Sequence, residues 1–138
     1  MLWHQQARVL LFGLDESLRK ELTSALNDQD QSVRSASTEN CTDCDWVIRE
    51  AIPDIVFCSS APNCFKAMLD AIKRVSPKLP IVVVSRLPEV SEWLDALEVG
   101  AADYCAAPFE ASQLRWILES NLPRPVVAME RRSAAAGA

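Results

Sequence analysis

The sequence predicts an α/β fold: a five-stranded parallel sheet of order 2-1-3-4-5, doubly wound by five helices. Three observations predict it. Short unbroken apolar runs, among them Val9-Leu10-Leu11-Phe12, Ile55-Val56-Phe57-Cys58 and Ile81-Val82-Val83-Val84, read as strands buried on both faces. The stretches between them carry apolar residues at helical spacing. Proline, glycine and acidic or amide residues punctuate the junctions. Strands alternating with helices imply a parallel sheet with right-handed crossovers. The order 2-1-3-4-5 is a common doubly wound solution, and it sets the first and third strands side by side at the switch point, where ligands gather at the carboxyl ends.

The elements follow in chain order. After a polar lead-in with Trp3 and the lone His4, the first strand spans 8–13 and reads as central. A helix over 16–26 has Leu18, Leu22, Ala25 and Leu26 on one stripe. The weak, alternating stretch 32–36 suits a strand near the sheet edge. The next helix, 44–52, buries Cys44, Val47, Ile48 and Ala51, with Thr42 and Asp45 as a capping pair. The third strand, 54–59, ends abruptly at Ser59-Ser60. Asn63 is expected to cap a helix over 64–75 whose buried stripe is Phe65, Met68, Leu69 and Ile72.

Pro77 and Pro80 bracket the turn into the β-branched fourth strand, which ends at Ser85. Pro88 suits the first turn of a fourth helix with Val90, Trp93, Leu94 and Leu97 on its inner face and Gly100 as terminator. A short fifth strand, 102–106, surrounds Tyr104. The last helix, 111–121, turns Leu114, Ile117, Leu118 and Leu122 inward. The expected domain is 1–122, and 123–138 reads as a flexible tail or linker because Pro123-Arg124-Pro125 breaks the helix and an alanine-rich end follows.

Composition narrows the function classes. A chain of 138 residues suits one domain. A net charge of -5 and a pI near 4.9 argue against direct nucleic-acid binding, and Arg131-Arg132 is too short a basic run to reverse that. Apolar runs fall well short of the roughly 20 residues that span a bilayer, and the start lacks a basic leader. The expectation is a cytoplasmic protein with no membrane contact. Five cysteines, an odd number with no secretion signal, read as reduced thiols.

The motifs carry a resemblance. Gly100-Ala101-Ala102-Asp103-Tyr104 followed by Pro108-Phe109, together with Pro53-Asp54-Ile55-Val56 and Val82-Val83-Val84-Ser85, resembles the receiver domain of bacterial two-component response regulators over about 8–122. The resemblance implies the flavodoxin-like receiver fold, and a cis bond at Ala107-Pro108. It also implies an aspartate nucleophile after the third strand, able to form an acyl phosphate. An acidic pair after the first strand would hold Mg²⁺. A lysine before the Pro-Phe pair, a Ser or Thr after the fourth strand and an aromatic on the fifth complete the pattern.

Most of these roles fail on this sequence. The phosphoacceptor position falls on Ser59 and the lysine position on Ala107. The acidic pair falls on Gly13 and Leu14, with Asp15 just beyond, and a slip making Asp15-Glu16 the pair restores neither Ser59 nor Ala107. Ser85 and Tyr104 alone fit as switch residues. The expected function is therefore that of a degenerate, pseudo-receiver: a non-enzymatic signalling domain of the phosphorelay type, without metal or cofactor. It would act through contacts with a sensor kinase or regulatory protein, or as a homodimer. One alternative is a working phosphoacceptor receiver. Another is a redox or metal sensor built on Cys41-Thr42-Asp43-Cys44, against which stands the scatter of the other thiols and His4.

The aromatic residues divide. Trp116 falls off the inner stripe of its helix, and reads either as a partner contact or as a residue covered by the tail. Trp93 is expected in the core, and Trp46 just off an apolar face.

Overall fold

Five short strands, each paired in parallel, build the sheet in the order β2-β1-β3-β4-β5. The computed structural model describes residues 7–29, 31–36, 44–86 and 90–122. Its elements are β1 (Arg8–Phe12), α1 (Glu16–Asn27), β2 (Ser32–Ala36), α2 (Cys44–Ala51), β3 (Ile55–Ser59), α3 (Pro62–Val75), β4 (Ile81–Ser85), α4 (Val90–Val99), β5 (Asp103–Ala106) and α5 (Ala111–Asn121). The lead-in with Trp3 and His4, Cys41, the Thr42 cap, Pro88 and the tail from Pro123 lie outside the described residues, as do the side chains of Asn63, Cys64, Val90 and Trp93.

Strand alternation divides the core into two apolar layers. Leu10, Phe12, Val56, Cys58, Ile81, Val83 and Tyr104 face α2, α3 and the Ala96 side of α4. Val9, Leu11, Ile55, Phe57, Val82, Val84 and Cys105 face α1 and α5, whose Leu18, Leu22, Leu26, Leu114, Ile117 and Leu118 complete that layer. β3 lies between β1 and β4, and its Ile55 to Cys58 are fully buried. The continuous apolar run thus reports a strand covered on both sides. β2, the alternating stretch, is at the edge.

Helix ends show where local chemistry overrides spacing. α3 begins at Pro62, two residues before the expected start, with Ala61 at the N-cap position and no side-chain cap. Asn63 therefore lies inside the first turn and does not cap it; the fixed φ of proline suits the first helical position. α2 stops at Ala51, one residue short of expectation, because Ile52 takes a left-handed φ of 45° immediately before Pro53. α4 ends as expected at Gly100. Gly100 N–H donates to Leu97 O (3.2 Å) and Ala101 N–H to Ala96 O (2.9 Å), the paired bonds of a Schellman motif, with Gly100 at φ 125°.

The inner face of α4 differs from expectation. Leu94 is 58% exposed, whereas Ala96 is buried and Leu97 packs against the core. Residue 96 sits about 200° round the helix from residue 94. Packing centred near Ala96 and Leu97 leaves Leu94 outside.

Between α2 and α3, Arg74 grips the Asp45 carboxylate with Nη2 at 2.7 Å and Nε at 3.3 Å. The pair depresses the Asp45 pKa and raises that of Arg74. Among the described residues, no helix is long and apolar enough to cross a membrane.

Two substitutions test this account by denaturant unfolding. Phe57→Ala, which empties a fully buried site, is expected to cost about 3–5 kcal/mol. Ile52→Asn relieves a β-branched residue of its left-handed backbone at an exposed position, and is expected to stabilise the fold by about 1 kcal/mol.

Candidate functional site

Parallel register brings the sequence-predicted positions to one edge of the sheet. Ser59 is the last residue of β3 and pairs with Val84, and Ser85, the last of β4, pairs with Ala106. Ser60 N–H donates to Val84 O (3.1 Å), and Ala107 N–H donates to Ser85 O (3.1 Å). Phe12, at the end of β1, pairs with Cys58. Gly13, Leu14, Asp15, Ser59, Ser85, Arg86 and Ala107 therefore all leave the sheet at its carboxyl edge, where open α/β sheets place their sites.

Each residue there is engaged in a way that its chemistry explains. Gly13 has φ 75°, a conformation that glycine takes without steric cost as the chain turns off β1. Leu14 packs against the apolar layer under α1 and α5, and so does Ala107. The half-buried Ser59 hydroxyl accepts a hydrogen bond from Ala61 N–H (3.1 Å) and so stabilises the turn into α3. Ser85 is buried at the end of β4, and Tyr104 is buried in the layer that α2, α3 and α4 share. Ala107-Pro108 is cis.

Asp15 is the one carboxylate among the three acidic-pair positions, and it has two partners. Its Oδ1 accepts from Leu18 N–H (2.9 Å), which makes it the N-cap of α1. The same oxygen accepts from Arg86 Nη2 at 2.8 Å. Arg86 follows Ser85 directly, and sequence reasoning missed it because the partners are 71 residues apart. The Leu18 N–H bond above all, with the Arg86 guanidinium, holds the Asp15 carboxyl below its ordinary 3.8, against the opposing effect of desolvation. The pair is exposed, 46% for Arg86 and 55% for Asp15, so its strength is limited by water and salt. The neighbouring Glu16 carboxylate pairs down the helix with Lys20 at 3.1 Å.

This donor set does not fit a Mg²⁺ centre of the receiver kind. Mg²⁺ prefers one or two carboxylates in a near-octahedral oxygen shell. Here a glycine, a leucine and a hydroxyl hold three of the positions, and the Asp15 carboxylate already carries a cation. Among the described residues, no group of three or more His, Cys, Asp or Glu side chains is placed to hold a metal ion.

Other candidates lie elsewhere. Cys44, Cys58 and Cys105 are buried, and burial, helped by the nearby Asp103 charge, pushes the Cys105 thiol up to about 12. Trp116 is 67% exposed on α5 and Trp46 is exposed on α2, both off the inner stripes as expected. A hollow of about 380 Å³ between Pro53, Lys78, Pro80 and Leu122 opens at the opposite, amino-terminal end of β3 and β4.

Comparison with known proteins agrees with the fold. No protein-family model matches the chain. The transcriptional regulatory protein ZraR of Salmonella typhimurium is 32% identical over 77 residues, which is 54% of this chain and 18% of that protein. The chain thus spans less than a fifth of that relative's length. The receiver domain of NtrX from Brucella abortus superposes with a TM-score of 0.69 at 25% identity, covering 83% of this chain and 97% of that one. A putative response regulator from Chloroflexus aurantiacus superposes with a TM-score of 0.74 at 22% identity, covering 87% of this chain and all of the other, a likeness of fold alone.

The two partners of Asp15 can be separated. Asp15→Ala is expected to lower stability by about 1 kcal/mol through loss of the helix cap, and Asp15→Asn, which still accepts from Leu18 N–H, by a few tenths. The sign with pH follows from the depressed carboxyl. Its contribution is complete above the ordinary value of 3.8 and is lost as pH falls through the lower folded value. Unfolding curves of wild type and Asp15→Asn, measured from pH 7 downward, are therefore expected to converge below pH 3.8.

Proposed function

We propose that this chain, a response-regulator receiver by fold and by sequence likeness, is a non-enzymatic signalling domain whose state is set by protein contacts rather than by phosphorylation. The observation that carries the reading is the end of β3. It presents the Ser59 hydroxyl, committed to the Ala61 N–H, where an acyl phosphate needs a carboxylate. Two further features agree. Ala107 supplies no ammonium to hold phosphoryl oxygens, and packs against apolar side chains instead. Asp15 is already paired with Arg86.

The proposed domain spans 1–122, with 123–138 as a tail or linker. A sensor kinase or regulatory protein is the proposed partner, with a second copy of the chain as the other option. Trp116 and Leu94, both exposed, offer apolar contact on α5 and α4. A conformational response through Ser85 and Tyr104 would require a partner that binds two states with different affinity. A cytoplasmic location and a role in transcriptional control, as the name of the ZraR relative suggests, are part of the same proposal.

Intact mass after incubation with acetyl phosphate and Mg²⁺ tests the reading. Wild type is expected to gain no phosphoryl mass. A stoichiometric, base-labile adduct on wild type would establish a working phosphoacceptor and overturn the proposal. A Ser59→Asp variant run alongside shows whether the rest of the edge supports the chemistry once a carboxylate is present.

A further inference from the structure

We propose that Arg86 acts as a built-in cation at the carboxyl edge of the sheet, and that it keeps divalent metal ions away from the Asp15 carboxylate. The inference rests on the receiver reading and deepens it: the missing nucleophile is then only part of what separates this edge from a metal-binding one.

Arg86 Nη2 stands 2.8 Å from Asp15 Oδ1, at the exit of β4, across 71 residues of chain. The backbone positions both ends of this pair. Asp15 is held by its capping bond to Leu18 N–H, which leaves the carboxylate facing outward from the first turn of α1. Arg86 follows the buried Ser85, whose strand is anchored to β3 and β5 on either side. The other carboxylate of that turn, Glu16, is occupied by Lys20 at 3.1 Å. Both acidic groups that a shifted alignment offers to a metal therefore have cationic partners within the chain.

A metal ion at Asp15 would have to displace the guanidinium or sit beside it. Displacement loses a charge-assisted hydrogen bond. Coexistence sets a divalent and a monovalent cation within a few ångströms, a repulsion that even in water amounts to about a tenfold loss of affinity.

The test is Mg²⁺ binding with no phosphoryl donor present, so that it succeeds or fails independently of the acetyl phosphate experiment. Ser59→Asp supplies a second carboxylate at the edge and serves as the background. Isothermal titration at constant ionic strength then compares Ser59→Asp alone with Ser59→Asp/Arg86→Gln and Ser59→Asp/Arg86→Lys, each first shown to be folded by circular dichroism. The neutral variant is expected to bind Mg²⁺ at least about fivefold more tightly than the background, while the lysine variant stays near it. Equal affinity for the background and the Arg86→Gln variant, including no binding by either, overturns the proposal. So does a gain with Arg86→Lys equal to that with Arg86→Gln, or binding by wild type as tight as by the neutral variant. Should the doubly substituted chains fail to fold, Arg86→Gln alone is compared with wild type through the amide chemical shifts of Asp15 and Leu18. Mg²⁺ is expected to move them only in the variant; movement in both proteins or in neither overturns the idea.

Discussion

The structure depends on the double burial of β3. Its Ile55 to Cys58 are sealed beneath helices on both faces, with β1 and β4 paired to its two edges. A strand in that position has no access to water for its backbone, so its polar groups must be paired by its neighbours in register. That requirement aligns the ends of β1, β3 and β4, and β5 follows through its pairing with β4. The clustering of Asp15, Ser59, Ser85, Arg86 and Ala107 at one edge is a consequence of this register rather than of any attraction among them.

The positions at this edge each take a structural role within the fold's own physics. Leu14 and Ala107 extend the apolar layer beneath α1 and α5. An ammonium at the Ala107 position would need a fixed anion to offset its desolvation, and the edge offers a hydroxyl at Ser59 and a carboxylate already engaged by Arg86. Gly13 serves the turn, Ser59 the entry to α3, and Asp15 the start of α1. Local folding therefore accounts for where these side chains sit.

Much of this was legible in the sequence where the signal was local. Continuous apolar runs marked β1, β3 and β4, and the leucine spacing of α1 and α5 marked their inner faces, because burial follows directly from period. Gly100 marked the end of α4 through its tolerance of positive φ. Legibility failed where two local rules competed. Asn63 is a favourable cap, but Pro62 before it is an even better first helical residue. Leu94 shares a plausible apolar stripe with its neighbours, yet only the contact of α4 with the sheet selects Ala96 and Leu97 as its inner side. Arg86 carried no local signal, since nothing near it in sequence needs a cation.

What the sequence determined by itself is the set of elements, their alternation and the absence of a carboxylate after the third strand, because periodicity and residue identity are properties of the chain alone. Tertiary structure decided what the remaining polar groups do. It turned Ser59 to the Ala61 amide, buried Tyr104 in the layer that α2, α3 and α4 share, and set Arg86 against Asp15. These outcomes depend on which strand ends meet, and that is settled by hydrogen-bond register across distant segments rather than by neighbours in sequence.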